Sequence, residues 1–401
     1  MATTKNPLLI ICLFLLILLT LPLSGCADFE NLSQGGTWGT GQSTTASRQS
    51  SPMAMPNDFA HLPPVKVAIL LPLSGPQSNI GEALLNSAQL ALFDIGYNNF
   101  QLMPRDTQGT TTGAAQAARS AINDGAQLII GPLFANSVRS VKSVTKQRGI
   151  NVIAFSTDWS LADSQTFMMG FMPFSQVDRI ANYSFGNGYK NFALIAPKDA
   201  YGNLVAARFE ALTRNNNVTI ANTLRFTPGD PTVINEVAKL SGGNFQAVFM
   251  PVGGTQTETI SSALSYNKMM PNNVKRIGTG LWDDARIAKQ PNMQGAWFVA
   301  PSPNARRGFE NKYASTYGQR PPRIATLAYD ATALAATLAK NGFENGVAPA
   351  FNAAAIADQN GFAGVDGVFR FSRNGVIERQ LAVLELRNGQ IIEVDPAAQS
   401  F

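Results

Sequence analysis

From Val65 onward, short apolar runs alternate with longer stretches in which apolar residues recur every three or four positions. Val65-Lys66-Val67-Ala68-Ile69-Leu70-Leu71 is a nearly unbroken apolar run that stops at Pro72-Leu73-Ser74-Gly75-Pro76, which predicts a buried strand followed by a turn. Between residues 81 and 95, Leu84, Leu85, Ala88, Ala91, Leu92 and Ile95 keep the spacing of a helix packed on a sheet. The same reading predicts a strand over 100–103 and a helix over 112–124 capped by Thr111 or Thr112. A strand over 126–130 ending at Gly131-Pro132, a helix over 134–148 and a strand over 151–155 follow.

The rhythm starts again near Tyr189. Strands over 192–196, 218–226 and 245–252 are each followed by a helix, over 201–214, 231–240 and 255–266, and short strands follow at 276–278 and 296–300. Two successive series of strand–helix units imply α/β architecture with two doubly wound parallel-sheet lobes. An Ala-rich helix over 324–338 and strands over 368–371 and 381–386 come after both lobes have been laid down, so the chain is expected to cross between them more than once. The expected division is 65–172 with 303–344 for lobe 1 and 173–302 with 345–401 for lobe 2. Hinge crossings are expected near 171–175, 301–304 and 342–346, and the cleft between the lobes is the expected ligand site.

The first 64 residues follow neither rhythm. Lys5 precedes an apolar run over 8–21, and Leu23-Ser24-Gly25-Cys26 follows. A cationic start, a short apolar core and small residues at the cut define a secretory leader, 1–25; the run is shorter than the roughly 20 residues that span a bilayer. The segment resembles a bacterial lipoprotein signal, and on that resemblance Cys26 is the acylated first residue of the mature chain, its membrane anchor. Ala27 stands where an inner-membrane retention Asp would stand, so the resemblance favours the outer membrane. Residues 26–64 are rich in Ser, Thr, Gly, Gln and Pro without apolar periodicity, and are expected to form a disordered tether.

Composition narrows the chemistry. Of 401 residues, 45% are hydrophobic and 14% charged, and the net charge of +5 is not gathered into basic runs; a nucleic-acid surface is not expected. There is one histidine, His61, and two cysteines, Cys12 and Cys26. Two of these three lie in the leader or at its cut and His61 in the Pro-rich stretch ahead of the body, so Cys/His and Ser/His nucleophile pairs and zinc sites lack their components. Gly278-Thr279-Gly280 lacks the further glycine and acid of a nucleotide loop. No enzyme activity, cofactor or metal is expected.

Several segments together resemble one family. They are the stretch from Val67 to Pro76, Gly81, Leu128-Ile129-Ile130-Gly131-Pro132-Leu133, Asp199-Ala200-Tyr201-Gly202, Tyr329-Asp330-Ala331 and Gly364-Val365-Asp366-Gly367. In this order they are similar to type I periplasmic binding proteins of the leucine/isoleucine/valine-binding kind. Leu70-Leu71-Pro72-Leu73-Ser74-Gly75 and the run from Gly131 to Val138 are closer to penicillin-binding protein activators, outer-membrane lipoproteins that stimulate peptidoglycan synthases. The helical-repeat domain that precedes the clamp in some activators has no counterpart here.

In open parallel sheets, ligands sit beyond the carboxyl ends of the strands. That rule selects Ser74, Asn136, Ser137, Ser156 and Thr157 from the first lobe and Tyr201, Trp282 and Asp283 from the second. The resemblance implies a ligand carboxylate held by Ser and Thr and an ammonium held by an acid of the second lobe. Here Ala135 falls at the serine, Asp158 at the usual threonine and Gly280-Leu281 at the acid, with Asp283 three residues away as the remaining ammonium partner. Asp283-Asp284 otherwise reads as a solvated helix start. The incomplete grip favours an activator that contacts the periplasmic domain of a bifunctional penicillin-binding protein. The alternative is the substrate-binding component of an ABC importer, with a permease as partner and a branched-chain or related amino acid as ligand.

Overall fold

A computed structural model describes residues 64–344 and 351–401. The leader, Cys26, His61 and the tether up to residue 63 lie outside the described residues. The first lobe comprises β1 (Val65–Leu71), α1 (Ser78–Ile95), β2 (Phe100–Asp106), α2 (Thr111–Asn123), β3 (Leu128–Ile130), α3 (Ala135–Thr145), β4 (Asn151–Ala154) and β5 (Thr166–Met168). Its five strands are all parallel, in the order β2-β1-β3-β4-β5. Helices cover such sheets on both faces, so in β1 only Lys66 keeps solvent contact.

The second lobe comprises α4 (Pro173–Gly186), β6 (Asn191–Pro197), α5 (Ala200–Asn215), β7 (Thr219–Phe226), α6 (Val233–Ala238), β8 (Ala247–Phe249), α7 (Gly254–Tyr266), β9 (Lys275–Ile277), α8 (Ala285–Ala288) and β10 (Trp297–Ala300). Its parallel part, β7-β6-β8-β9-β10, repeats the strand order of the first lobe, and β14 (Ala382–Arg387) and β15 (Gln390–Asp395) extend it antiparallel beyond β10. The two lobes also share a device at the start of a helix. A Cβ on Gly81 would lie 2.0 Å from the Pro72 carbonyl oxygen, and one on Gly202 2.1 Å from that of Pro197. In each case the helix begins so close to the end of the preceding strand that only glycine fits.

The chain passes between the lobes three times. After β5 it enters α4; after β10 it returns through α9 (Pro303–Tyr317) and α10 (Ala325–Glu344), where Phe309 and Tyr313 cluster with Leu90 of α1. It then runs through α11 (Ala353–Ile356) and a small antiparallel sheet of β11 (Phe362–Gly364), β12 (Gly367–Phe371) and β13 (Ile377–Arg379) before β14. The third passage is therefore at Gln380-Leu381 and not at 342–346, of which 345–346 lie outside the described residues. The lobe division expected for the tail is corrected likewise. Phe351, Ile356, Phe369, Phe371 and Ile377 are buried in the core of the first lobe, because β13 follows β12 as a hairpin and Met168 of β5 bridges to Val376.

Local differences have simple causes. The cap of α2 is Thr110, whose hydroxyl accepts from the Gly113 amide at 3.0 Å, and not Thr111 or Thr112; the helix begins one residue earlier than its apolar periodicity. Helix α4 buries Val177, Ile180, Ala181 and Phe185, and α9 buries Phe309 and Tyr313. Neither helix is predicted by the apolar spacing.

Candidate ligand cleft

Between the lobes lies a cavity of about 1030 Å³, walled by the segments that follow β3, β4, β6, β9 and β10 and by the passages between lobes. Most of the wall is apolar. Leu133, Phe134 and Phe155 line it from the first lobe, Leu204, Leu281 and Val299 from the second, and Phe171 and Met172 from the first passage. Trp159 and Leu281 on this wall are 43% and 45% exposed.

Four of the residues expected in the cleft line this cavity: Ser156, Thr157, Tyr201 and Asp283. The buried Ser156 hydroxyl oxygen accepts from the Asp158 amide at 3.1 Å. Asp158 in turn caps the short helical turn Trp159–Leu161, accepting from the amide and hydroxyl of Ser160. The Tyr201 hydroxyl lies 2.8 Å from the Thr279 hydroxyl, and burial pushes its pKa up to about 12, so the phenol stays neutral.

The other four do not line the cavity. Ser74 is exposed and donates to Asp106 at 2.6 Å; that carboxylate collects the Leu73, Ser74 and Gln108 amides as well, which together hold its pKa below the usual range against a partial burial that raises it. Asn136 is exposed and accepts from Arg139 at 3.0 Å, and Ser137 is buried over the Thr110 carbonyl. Helix α3 starts at Ala135, so only that first residue remains on the wall while the next two turn away. Trp282 is fully buried in the second lobe and donates its indole N–H to the Val252 carbonyl at 2.8 Å. The helical turn Gly280–Trp282 sends Trp282 into the core and leaves Leu281 at the cleft.

Asp283 is not a solvated helix start. Its carboxylate receives Arg306 through Nη1 at 2.8 Å and Nη2 at 3.0 Å, and Arg323 through Nε at 3.1 Å. Its side chain is only 6% exposed. Asp283 belongs to the second lobe, whereas Arg306 lies on α9 and Arg323 just before α10, so this network ties the lobes together. Asp284 does start a helix, accepting from the Arg286 amide.

The network continues inward. Arg323 also reaches Asp366 at 3.0 Å, which accepts from the Thr326 hydroxyl at 2.6 Å. Arg379 pairs with the fully buried Asp330 at 3.2 Å and stands over the rings of Phe171 and Phe369. Burial is the largest influence on the Asp330 carboxyl and, with the nearby Asp366 charge, raises its pKa to about 6 against the pull of Arg379. Sequence reasoning missed Arg306, Arg323 and Arg379 because they stand in polar surroundings without a motif. Asp330 and Asp366 were visible within Tyr329-Asp330-Ala331 and Gly364-Val365-Asp366-Gly367, but not their partners.

Two topologically matching doubly wound lobes facing each other across a cleft define a clamp-type binding protein. The family model described as "Periplasmic binding protein" matches residues 64–390, and the chain belongs to this family, with the type I architecture. It is 22% identical over 262 residues to a Leu/Ile/Val-binding protein of Rhizobium johnstonii, covering 63% of this chain and 71% of that one. It is 28% identical over 147 residues to the penicillin-binding protein activator LpoA of Photobacterium profundum, covering 36% of this chain and 24% of that one. The chain spans about half, 48%, of the length of an uncharacterised Rickettsia prowazekii protein to which it is 23% identical over 180 residues, 45% of this chain. Among solved structures, a branched chain amino acid ABC transporter periplasmic ligand-binding protein from Burkholderia xenovorans superposes with a TM-score of 0.69 at 17% identity, covering 84% of this chain and 94% of that one.

Proposed function

We propose that the protein is a lipid-anchored, non-catalytic regulator of the cell envelope, held in the outer membrane through Cys26. In this reading it activates a peptidoglycan synthase by contact with the periplasmic domain of a bifunctional penicillin-binding protein. The observation that carries it is the engagement of Asp283. An amino-acid receptor needs a carboxylate of the second lobe free to meet the ligand's ammonium, and here that carboxylate holds two guanidinium groups of the first lobe. Displacing them would strand charges in a partly buried site. The similarity to the Photobacterium activator supports the same reading, although it covers 36% of the chain.

A second reading, the receptor of an ABC importer for an amino acid, is favoured by the cavity of about 1030 Å³ and by the Rhizobium and Burkholderia relatives. The two separate in one pair of measurements. A ligand at 100 times its dissociation constant stabilises the folded state by about 2.7 kcal/mol, so an importer receptor melts at clearly higher temperature with its amino acid. The activator reading expects no shift with any amino acid and retention of the synthase's periplasmic domain on the immobilised protein. A shift with leucine or a relative, and no retention, would reverse the order.

A further inference from the structure

The charged residues of the cleft wall leave little for an ionic ligand. Asp283 is matched by Arg306 and Arg323, Arg323 also by Asp366, and Arg379 by Asp330 through Nη1, its Nε and Nη2 being buried by the Phe171 and Phe369 rings without a hydrogen-bond partner. Asp158 stands 3.8 Å from Arg139. A carboxylate could reach Arg323 only by taking it from Asp283 or Asp366, and an ammonium could reach Asp283 only by pushing out two guanidinium groups. Either exchange leaves a buried charge without its partner.

Most of the remaining surface is apolar and comes from both lobes, with Phe134, Phe155 and Trp159 on one side and Leu204 and Leu281 on the other, and the polar groups among it, such as Ser156, Thr157 and Tyr201, are uncharged. Trp159 and Leu281 keep nearly half of their surface uncovered. The space, about 1030 Å³, is at the upper end of cavities that enclose drug-sized ligands. We propose that this cleft binds a bulky, uncharged, apolar small molecule, and that the Asp283–Arg323 pair excludes carboxylates and ammonium groups from it. This goes beyond the activator reading and does not rest on it, since such a molecule would occupy the cleft in either role.

Two probes with one aromatic skeleton test this: neutral N-phenyl-1-naphthylamine and its anionic relative 1-anilinonaphthalene-8-sulfonate, each titrated by fluorescence into the purified protein. The neutral probe is expected to bind at least tenfold more tightly than the sulfonate, with energy transfer from tryptophan that is reduced, but not lost, in Trp159→Phe because Trp282 and Trp297 remain. Leu281→Asp, at a position 45% exposed, should weaken the neutral probe tenfold or more while the melting temperature stays within a few degrees of the parent's. Asp283→Asn removes one of the two carboxylates that hold Arg323 and should narrow the neutral-over-anionic preference at least fivefold. Tighter binding of the sulfonate, neutral binding unchanged by Leu281→Asp, or displacement of the neutral probe by leucine would overturn the proposal.

Discussion

Replacing Asp283 by Asn removes the charge that holds two guanidinium groups of the other lobe. Taking away one partner of a buried ion pair destabilises by about 3–5 kcal/mol. Side-chain exposures of 6% for Asp283, 11% for Arg306 and 26% for Arg323 place this site between fully buried and open. Arg306 keeps Glu310 at 2.8 Å and Arg323 keeps Asp366 at 3.0 Å, so the lower end, about 3 kcal/mol, applies. Because the broken contact joins the lobes, the loss falls on their association, and about 3 kcal/mol is a shift of more than a hundredfold. Spin labels placed on the two lobes should report longer or broader distances in Asp283→Asn, and the melting temperature should fall by about 5 °C. Arg286→Gln breaks a neighbouring pair whose arginine is 79% exposed, and should change stability by less than about 0.5 kcal/mol. Unchanged distances together with an unchanged melting temperature in Asp283→Asn would refute the reasoning.

Other expectations follow from single sites. Asp330 holds its proton more tightly in the fold than in the unfolded chain, where its value is near 3.8. Its contribution to stability is therefore complete below pH 4 and is lost as pH rises to about 6, by at most about 3 kcal/mol. The fall in melting temperature between pH 4 and 6.5 should be smaller in Asp330→Asn than in the parent protein; equal slopes would count against the assignment. Gly202→Ala forces a methyl group to 2.1 Å from the Pro197 carbonyl oxygen and should lower stability by about 1–3 kcal/mol in denaturant titration. Cys26→Ser should leave the melting temperature unchanged and release the protein from membranes on fractionation. If the variant stays with the membrane, the anchor is not at residue 26.

The repeating architecture was legible because buried parallel strands advertise themselves. Val65–Leu71 and Asn191–Pro197 are almost wholly apolar, and the amphipathic helices after them keep their period. What escaped the sequence was material whose burial depends on distant partners. Helix α9 carries two arginines and few apolar residues, and its buried Phe309 and Tyr313 acquire meaning only against Leu90. Strand β5 is three residues long and is recognisable only by its pairing with β4.

The candidate site was partly legible for the same reason. Strand ends can be found by eye, which located Ser156, Thr157, Tyr201 and Asp283, but the direction of a side chain after a strand depends on where the next turn begins. Trp282 and Leu281 are neighbours in sequence and face opposite ways. The arginines that engage Asp283 lie 23 and 40 residues further along. Two family-like segments did contain Asp330 and Gly364 without revealing their relation. A Cβ on Gly364 would lie 2.6 Å from the Asp330 carboxylate, which also accepts from the Val365 amide at 2.8 Å.

Isothermal titration calorimetry of the purified protein against the individual amino acids, leucine, isoleucine and valine first, tests most directly whether the second-lobe carboxylate is closed to an ammonium group. No saturable heat up to millimolar ligand is expected from the parent protein. A micromolar dissociation constant for any amino acid, abolished by Asp283→Asn, would mean that Asp283 exchanges its arginines for the ligand and that the protein is a solute receptor.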